Sequence, residues 1–341
     1  MNMKQRFLLF LAINILFSFS SCIDKIANVS PNPPSELEGL NITLGDAFDI
    51  TSFGAKFPFS FTYTGSDKLQ CGEIILYNTA DKTDTHCYQV SLDENIIQID
   101  DLLPGMKYEY SVRILSYSSS KISESKHITT LPRRAAPEGA VDFGLSVFWS
   151  AKNLGSTFSD DAGDYYSWGD VIPYAKRDER AGSLWSNYKW YDNGFTKYCI
   201  GTEDSDNITE LEKCDDPASV VLGDLWRSPS SEEVEELIQA IRKGYIKSSY
   251  DRDSGILTLF GARNAFKESS ISFKNHTPEQ LLNHESSFVG SPCAFWTRNL
   301  GEENEYAIAY SIDSFWFDSL TKMSCSRYKY IPVRPVYPVN Q

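Results

Sequence analysis

Six cysteines and one aromatic stretch are the residues of this 341-residue chain whose types and spacing could do chemistry. Cys71, Cys87, Cys199, Cys214, Cys293 and Cys325 form an even set, which in an exported chain predicts disulfides. Pairing between neighbours is the simplest arrangement, and spacing leaves the connectivity open. No two are separated by only two residues, which speaks against a zinc knuckle or a redox Cys-x-x-Cys pair. The aromatic stretch holds Tyr174, Trp185, Tyr188, Trp190, Tyr191 and Tyr198 among Gly, Asn, Ser and Lys, with neither a helical nor an alternating period. Rings on such a loop either fold down as plugs or face a ligand, and flat sugar faces stack well on them. Trp185, Trp190 and Tyr191 are the residues expected to contact a ligand. Other constellations are sparse. There is no HExxH, no GxSxG and no phosphate-binding glycine loop, so no catalytic residue is assigned and the chain is not expected to be an enzyme. His86, His127, His276 and His284 are scattered. Asp160, Asp161, Asp164 and Asp170 lack a twelve-residue loop with a closing glutamate and suit turns, so neither a metal nor a cofactor is expected.

A seventh cysteine, Cys22, sets the address. Lys4 and Arg6 precede an apolar run from Phe7 to Phe19, followed by Ser20, Ser21 and Cys22. This order describes an export signal over residues 1–21, too short for a spanning helix. Ser20-Ser21-Cys22 resembles the lipobox of bacterial lipoproteins, with Phe19 where leucine is usual. The resemblance implies acylation of Cys22 and a stable lipid anchor in the outer membrane, with the chain facing either the surface or the periplasm. The alternative is an ordinary cleaved signal. Residues 22–45, with Pro31, Pro33 and Pro34, read as a tether. A formal charge of −14, from 46 acidic and 32 basic residues, argues against a nucleic-acid partner.

The elements that position these groups fall into two domains. Between residues 46 and 131 the pattern is alternating and β-branched with no helix signal, which predicts a β-sandwich of short strands. Leu103-Pro104-Gly105-Met106-Lys107-Tyr108 resembles the corner of fibronectin type III domains, where a tyrosine after a Pro-Gly turn packs inward and bonds backbone. Ile128 to Leu131 resembles their last strand. Such a module is either a binding domain or a spacer. Residues 132–139 then read as a linker. Beyond them, Ser230 and Glu233 have capping-box spacing behind Pro229, and Val234, Leu237, Ile238 and Ile241 share one face, which predicts a helix ending at Lys243-Gly244.

Residues 140–341 carry the more distinctive residues. Val141-Asp142-Phe143-Gly144-Leu145, Asn153-Leu154-Gly155, Gly163 to Asp170, Asp215-Asp216-Pro217-Ala218, Phe295-Trp296-Thr297-Arg298 and Val333-Arg334-Pro335-Val336 occur in this order. Together they resemble the Fibrobacter succinogenes major paralogous domain, found in surface lipoproteins of Bacteroidota and related to the C-type lectin-like fold. The resemblance implies an α+β domain, in a multidomain chain whose first part is all-β. Trp149, Trp168, Trp226, Trp296 and Trp316 are expected as core plugs, and Arg227, Arg298 and Arg334 as structural partners of Asp or carbonyl groups. The Glu-Pro-Asn, Gln-Pro-Asp and Trp-Asn-Asp triplets of calcium-dependent lectins are absent. The expected function is a non-catalytic envelope lipoprotein binding a glycan or surface protein, in adhesion or nutrient capture. One alternative is a structural or pilus-tip component. Another is a cysteine-dependent oxidase, from a distant likeness to formylglycine-generating enzymes; it needs a close cysteine pair, whereas Cys293 and Cys325 stand far apart in sequence.

Overall fold

The structure, a computed structural model, describes residues 35–81, 85–176, 185–201, 203–263, 266–274, 293–312 and 320–339. The signal segment, Cys22, Trp316, His276 and His284 lie outside the described residues. The chain divides into two compact units, one ending at Pro132 and the other beginning at Arg133.

The first unit is a β-sandwich. Its strands are β1 (Ser35–Glu36), β2 (Leu40–Leu44), β3 (Ala55–Tyr63), β4 (Leu69–Asn78), β5 (Thr85–Val90), β6 (Ile96–Ile99), β7 (Lys107–Ser116), β8 (Ser119–Ile122) and β9 (Lys126–Thr129). One sheet runs β2-β3-β6; the other runs β1-β8-β7-β4-β5, with β9 also paired to β7. Alternation decides what faces inward: Phe57 and Phe59 of β3 meet Ile74 and Leu76 of β4 and Tyr110, Val112 and Ile114 of β7 in one core. The tyrosine at the Pro-Gly corner is in place, because the buried Tyr108 hydroxyl accepts the Leu103 N–H at 2.9 Å. Tyr108→Phe removes that acceptor and leaves the N–H unmet. Denaturant unfolding of the first unit should show a loss of about 1–2 kcal/mol.

Two expected boundaries are corrected. Residues 35–44 are not tether: β2 pairs β3, and Leu37, Leu40 and Leu44 are buried in the sandwich core. The prolines upstream disguised an alternating strand. Nor is the stretch after Pro132 a bare linker. Arg133 donates to both Asp142 carboxylate oxygens, at 2.7 and 2.8 Å, and to Leu145 O, while Ala136 packs against the cluster of Phe148, Tyr337 and Val339.

The second unit is built from β10 (Ala140–Val141), β11 (Val147–Ser150), β12 (Tyr165–Tyr166), helix α1 (Pro217–Leu222), helix α2 (Ser231–Arg242), β13 (Ile246–Asp251), β14 (Ile256–Gly261), β15 (Ser270–Phe273), β16 (Phe295–Leu300), β17 (Tyr306–Ile312), β18 (Leu320–Ser326), β19 (Ile331–Pro332) and β20 (Val336–Pro338). The sheets are β10-β11-β20, β12-β19, β13-β14-β15 and β16-β17-β18, all antiparallel. The first of them joins the two ends of the unit, Trp149 facing Val336. Helix α2 starts at the anticipated capping box, with Glu233 N–H bonded to Ser230 Oγ and Ser230 N–H to the Glu233 carboxylate. Its face of Val234, Leu237 and Ile238 closes a core with Trp149, Phe273, Phe295 and Val336. A second core gathers Trp168, Tyr198, Trp296 and Val333. Trp226 is only partly buried, against Tyr337.

The structure joins none of the six cysteines, and its strand register parts two of the three neighbour pairs. Cys87 faces Ile75 while Cys71 faces Leu115. Four ladder positions, about 13 Å at strand spacing, therefore part Cys71 from Cys87, beyond disulfide reach. Cys293 precedes the Phe295 end of β16, whereas Cys325 faces Ala307, which pairs with Leu300 at the other end. Cys199 is buried beside the Asp206 carboxylate and Cys214 is exposed. Burial pushes the Cys293 thiol up to about 12 and that of Cys325 up to about 11. Both behave as small apolar plugs that stay protonated.

Candidate functional site

Tyr188 and Trp190 are held by bonds to backbone. Tyr188 Oη donates to Trp168 O at 2.7 Å, and Trp190 Nε1 donates to Gly169 O at 2.9 Å. Gly169 has a φ of 73°, and a Cβ there would lie 3.1 Å from both Trp190 Nε1 and a Leu211 methyl, so glycine is required.

Trp185 opens a single 3-10 turn and is ringed by aromatics, its centroid 5.7 Å from Tyr188, 5.4 Å from Tyr191, 5.2 Å from Phe195 and 4.8 Å from Tyr328. Tyr191 and Phe195 are joined by a bridge across a tight turn whose tip, Asn193, takes a φ of 53°. Trp185, Tyr191, Phe195 and Tyr328 all keep part of their surface in solvent. They form a half-buried aromatic cluster at a loop surface, a setting suited to an apolar or sugar face.

Of the three expected contacts, the structure brings Trp185 and Tyr191 together and sets Trp190 apart. Besides its bonded N–H, the Trp190 ring carries the Lys189 ammonium at 4.3 Å and that of Lys197 at 5.1 Å. It is a plug whose face is already taken. Phe195, Tyr328 and Arg327 were missed. Arg327 directly precedes Tyr328 in the sequence, an adjacency that could have marked it.

Arg327 is fully buried beneath the cluster. Its Nε donates to Tyr188 Oη at 3.0 Å, and its terminal nitrogens donate to the carbonyls of Tyr198, Asn304 and Lys197, each at 3.0 Å. The guanidinium carbon also lies 4.9 Å from the Trp168 ring, 5.1 Å from Tyr188 and 4.8 Å from Phe195. Five donors in a rigid fork suit this task as an ammonium would not. Burial pushes the Tyr188 hydroxyl well above its ordinary range, with Arg327 pulling the other way.

A polar knot lies on the other side of Tyr198. The Asp215 carboxylate accepts from Lys189 at 2.9 Å, Lys197 at 2.6 Å and Tyr198 Oη at 2.8 Å, and Lys197 also pairs with Glu212. Burial alone would raise the Asp215 carboxyl, but the hydrogen bonds from Lys197, Lys189 and Tyr198 hold it below its usual range. Such a group adds stability that is full above the ordinary carboxyl value of 3.8 and is lost as the pH falls through its lower folded value. The second unit should therefore keep its midpoint in urea between about pH 7 and 5 and lose stability below about pH 4. Lys197→Met should shrink that loss; an unchanged acid profile in this variant would contradict the assignment. Glu212, Cys214 and Asp215 place ligand atoms within 4.8 Å of one another, a set the sequence did not suggest. The Lys197 ammonium bridges both carboxylates and stands where a cation would.

No family model matches the chain, and no curated protein matches it. Among solved structures, it is similar to the sensor domain of the anti-sigma factor RsgI4 of Pseudobacteroides cellulosolvens, at 17% identity over 28% of this chain and 99% of that one, with a TM-score of 0.24. It is also similar to a fibronectin type III domain of the human KIAA0970 protein, at 21% identity, 36% and 90% coverage and a TM-score of 0.24. A third similarity is to the FN1–FN3 domains of chicken CNTN1, at 16% identity, 29% and 32% coverage and a TM-score of 0.22. Among the described residues, no helix is long and apolar enough to cross a membrane.

Proposed function

We propose that this chain is a lipid-anchored envelope protein that performs no reaction and uses its second unit, a lectin-like domain, to bind a glycan or a protein surface. The first unit serves as a fibronectin type III-like spacer. The observation that carries the reading is the half-buried cluster of Trp185, Tyr191, Phe195 and Tyr328, held from below by Arg327. A rigid base under partly exposed rings is what a preorganised recognition surface requires. The anchor is Cys22, and mass spectrometry of the mature chain should find it acylated.

A glycan array with the purified chain tests the binding function. Binding should vanish in Trp185→Ala while the second unit stays folded by circular dichroism, with a stability loss of about 2–3 kcal/mol because the partly buried ring packs against four others. Binding that survives this change would move the site elsewhere. One observation favours a protein partner in assembly: Val220, Val221 and Leu222 of α1 expose 49, 55 and 44% of their surface in a row. Retention of partner chains from envelopes, lost on Val221→Lys, would support that second reading.

A further inference from the structure

Among the described residues, the guanidinium beneath the aromatic cluster has no carboxylate as a hydrogen-bond partner. Tyr188 Oη and the carbonyls of Lys197, Tyr198 and Asn304 are all neutral acceptors. Three rings without net charge, Trp168, Tyr188 and Phe195, lie against it. A cation drawn to one face of a ring consumes the attraction that ring offers to a second cation. Tyr188 and Phe195 are two of the four rings against which Trp185 packs, so that side of the cluster rests directly on this charge.

We infer that Arg327 is a specificity-determining residue of the proposed binding site and that it selects an acidic oligosaccharide over neutral ones of the same length. This rests on the recognition function proposed above and adds the class of ligand to it. The guanidinium lies 4.8 Å from Phe195, and Phe195 lies 5.2 Å from Trp185. A ligand on Trp185 is thus on the order of 10 Å from a charge shielded from solvent on its own side. At an effective dielectric constant between that of a protein surface and that of water, this favours each ligand carboxylate by roughly 2- to 20-fold. The chain as a whole carries a charge of −14, so its general field opposes an acidic ligand. The nearest opposing group on the cluster's own turn is Asp192, exposed and bonded to Asn193 Nδ2 at 3.2 Å.

Titration calorimetry of the full chain with hexagalacturonate and with maltohexaose, a neutral probe of equal length, tests the inference. Hexagalacturonate should bind about fivefold or more tightly at low ionic strength, and added salt should narrow the gap. Trp185→Ala should abolish both signals. Replacing Arg327 endangers the fold, so the deciding variant is Asp192→Asn, which should tighten hexagalacturonate and leave maltohexaose unchanged. Maltohexaose binding equally well or better, in a manner that needs Trp185, overturns the charge selection and leaves the recognition surface standing. If neither probe gives a signal that Trp185→Ala removes, the charge selection falls, and the glycan array alone decides the recognition function.

Discussion

Arg327→Met should destabilise the second unit by about 4 kcal/mol or more, the larger of the two biggest effects anticipated here. The side chain is completely buried and satisfies Tyr188 Oη and three backbone carbonyls. Methionine fills part of the volume and meets none of those acceptors. A buried polar group left unmet costs about 1–3 kcal/mol, and the acceptors here belong to three separate segments. Lysine should do little better, since its single ammonium cannot reach carbonyls spread across the fork. Chemical denaturation followed by circular dichroism reads the loss, with the transition of the first unit as an internal standard. A shift below about 1 kcal/mol would mean that the loop holds itself without this residue.

Trp168→Ala should cost about 4 kcal/mol, the usual scale for removing a buried tryptophan. The ring lies over Arg327, meets Tyr198 edge-on at 5.2 Å, and donates its N–H to Thr297 O at 2.9 Å. Its loss therefore opens a cavity, strips a face from the guanidinium and leaves a carbonyl with one bond fewer. Trp226→Ala is the contrast: the ring is partly exposed and packs chiefly on Tyr337, so the cost should stay within about 2 kcal/mol. Equal losses at the two positions would show that burial is not what separates them.

Helix α2 was legible because its signals are local. A capping serine, a glutamate three residues on, a stripe of Val234, Leu237 and Ile238, and Gly244 with a φ of 74° lie within one stretch. The sandwich was legible for the same reason, with strict alternation in β3 and β7 and a corner tyrosine. What stayed hidden depends on distant segments. Nothing around Leu40 to Leu44 separates a strand from a tether until β3 lies beside it. Cysteine spacing carries no information on strand register, and register is what places Cys71 and Cys87 beyond reach. Trp190 and Trp185 look alike in sequence. Both are part-exposed; Gly169 and the ammoniums of Lys189 and Lys197 occupy the one, while the other packs on a separate set of rings. Arg334 met its expected carbonyl partners, Ser150 and Ser272. Arg227 bonds the Ser228 carbonyl at 3.1 Å and in addition Glu233, at the cap of α2.

The most direct test of the recognition surface is fluorine NMR of the full chain carrying 5-fluorotryptophan, titrated with the tightest oligosaccharide found on the array. The seven tryptophans report separately, and Trp185→Phe assigns the resonance that matters. The account predicts that the Trp185 signal moves with ligand concentration while those of Trp168 and Trp296 stay in place. Movement confined to Trp226, or saturable binding that leaves every tryptophan signal fixed, would contradict it.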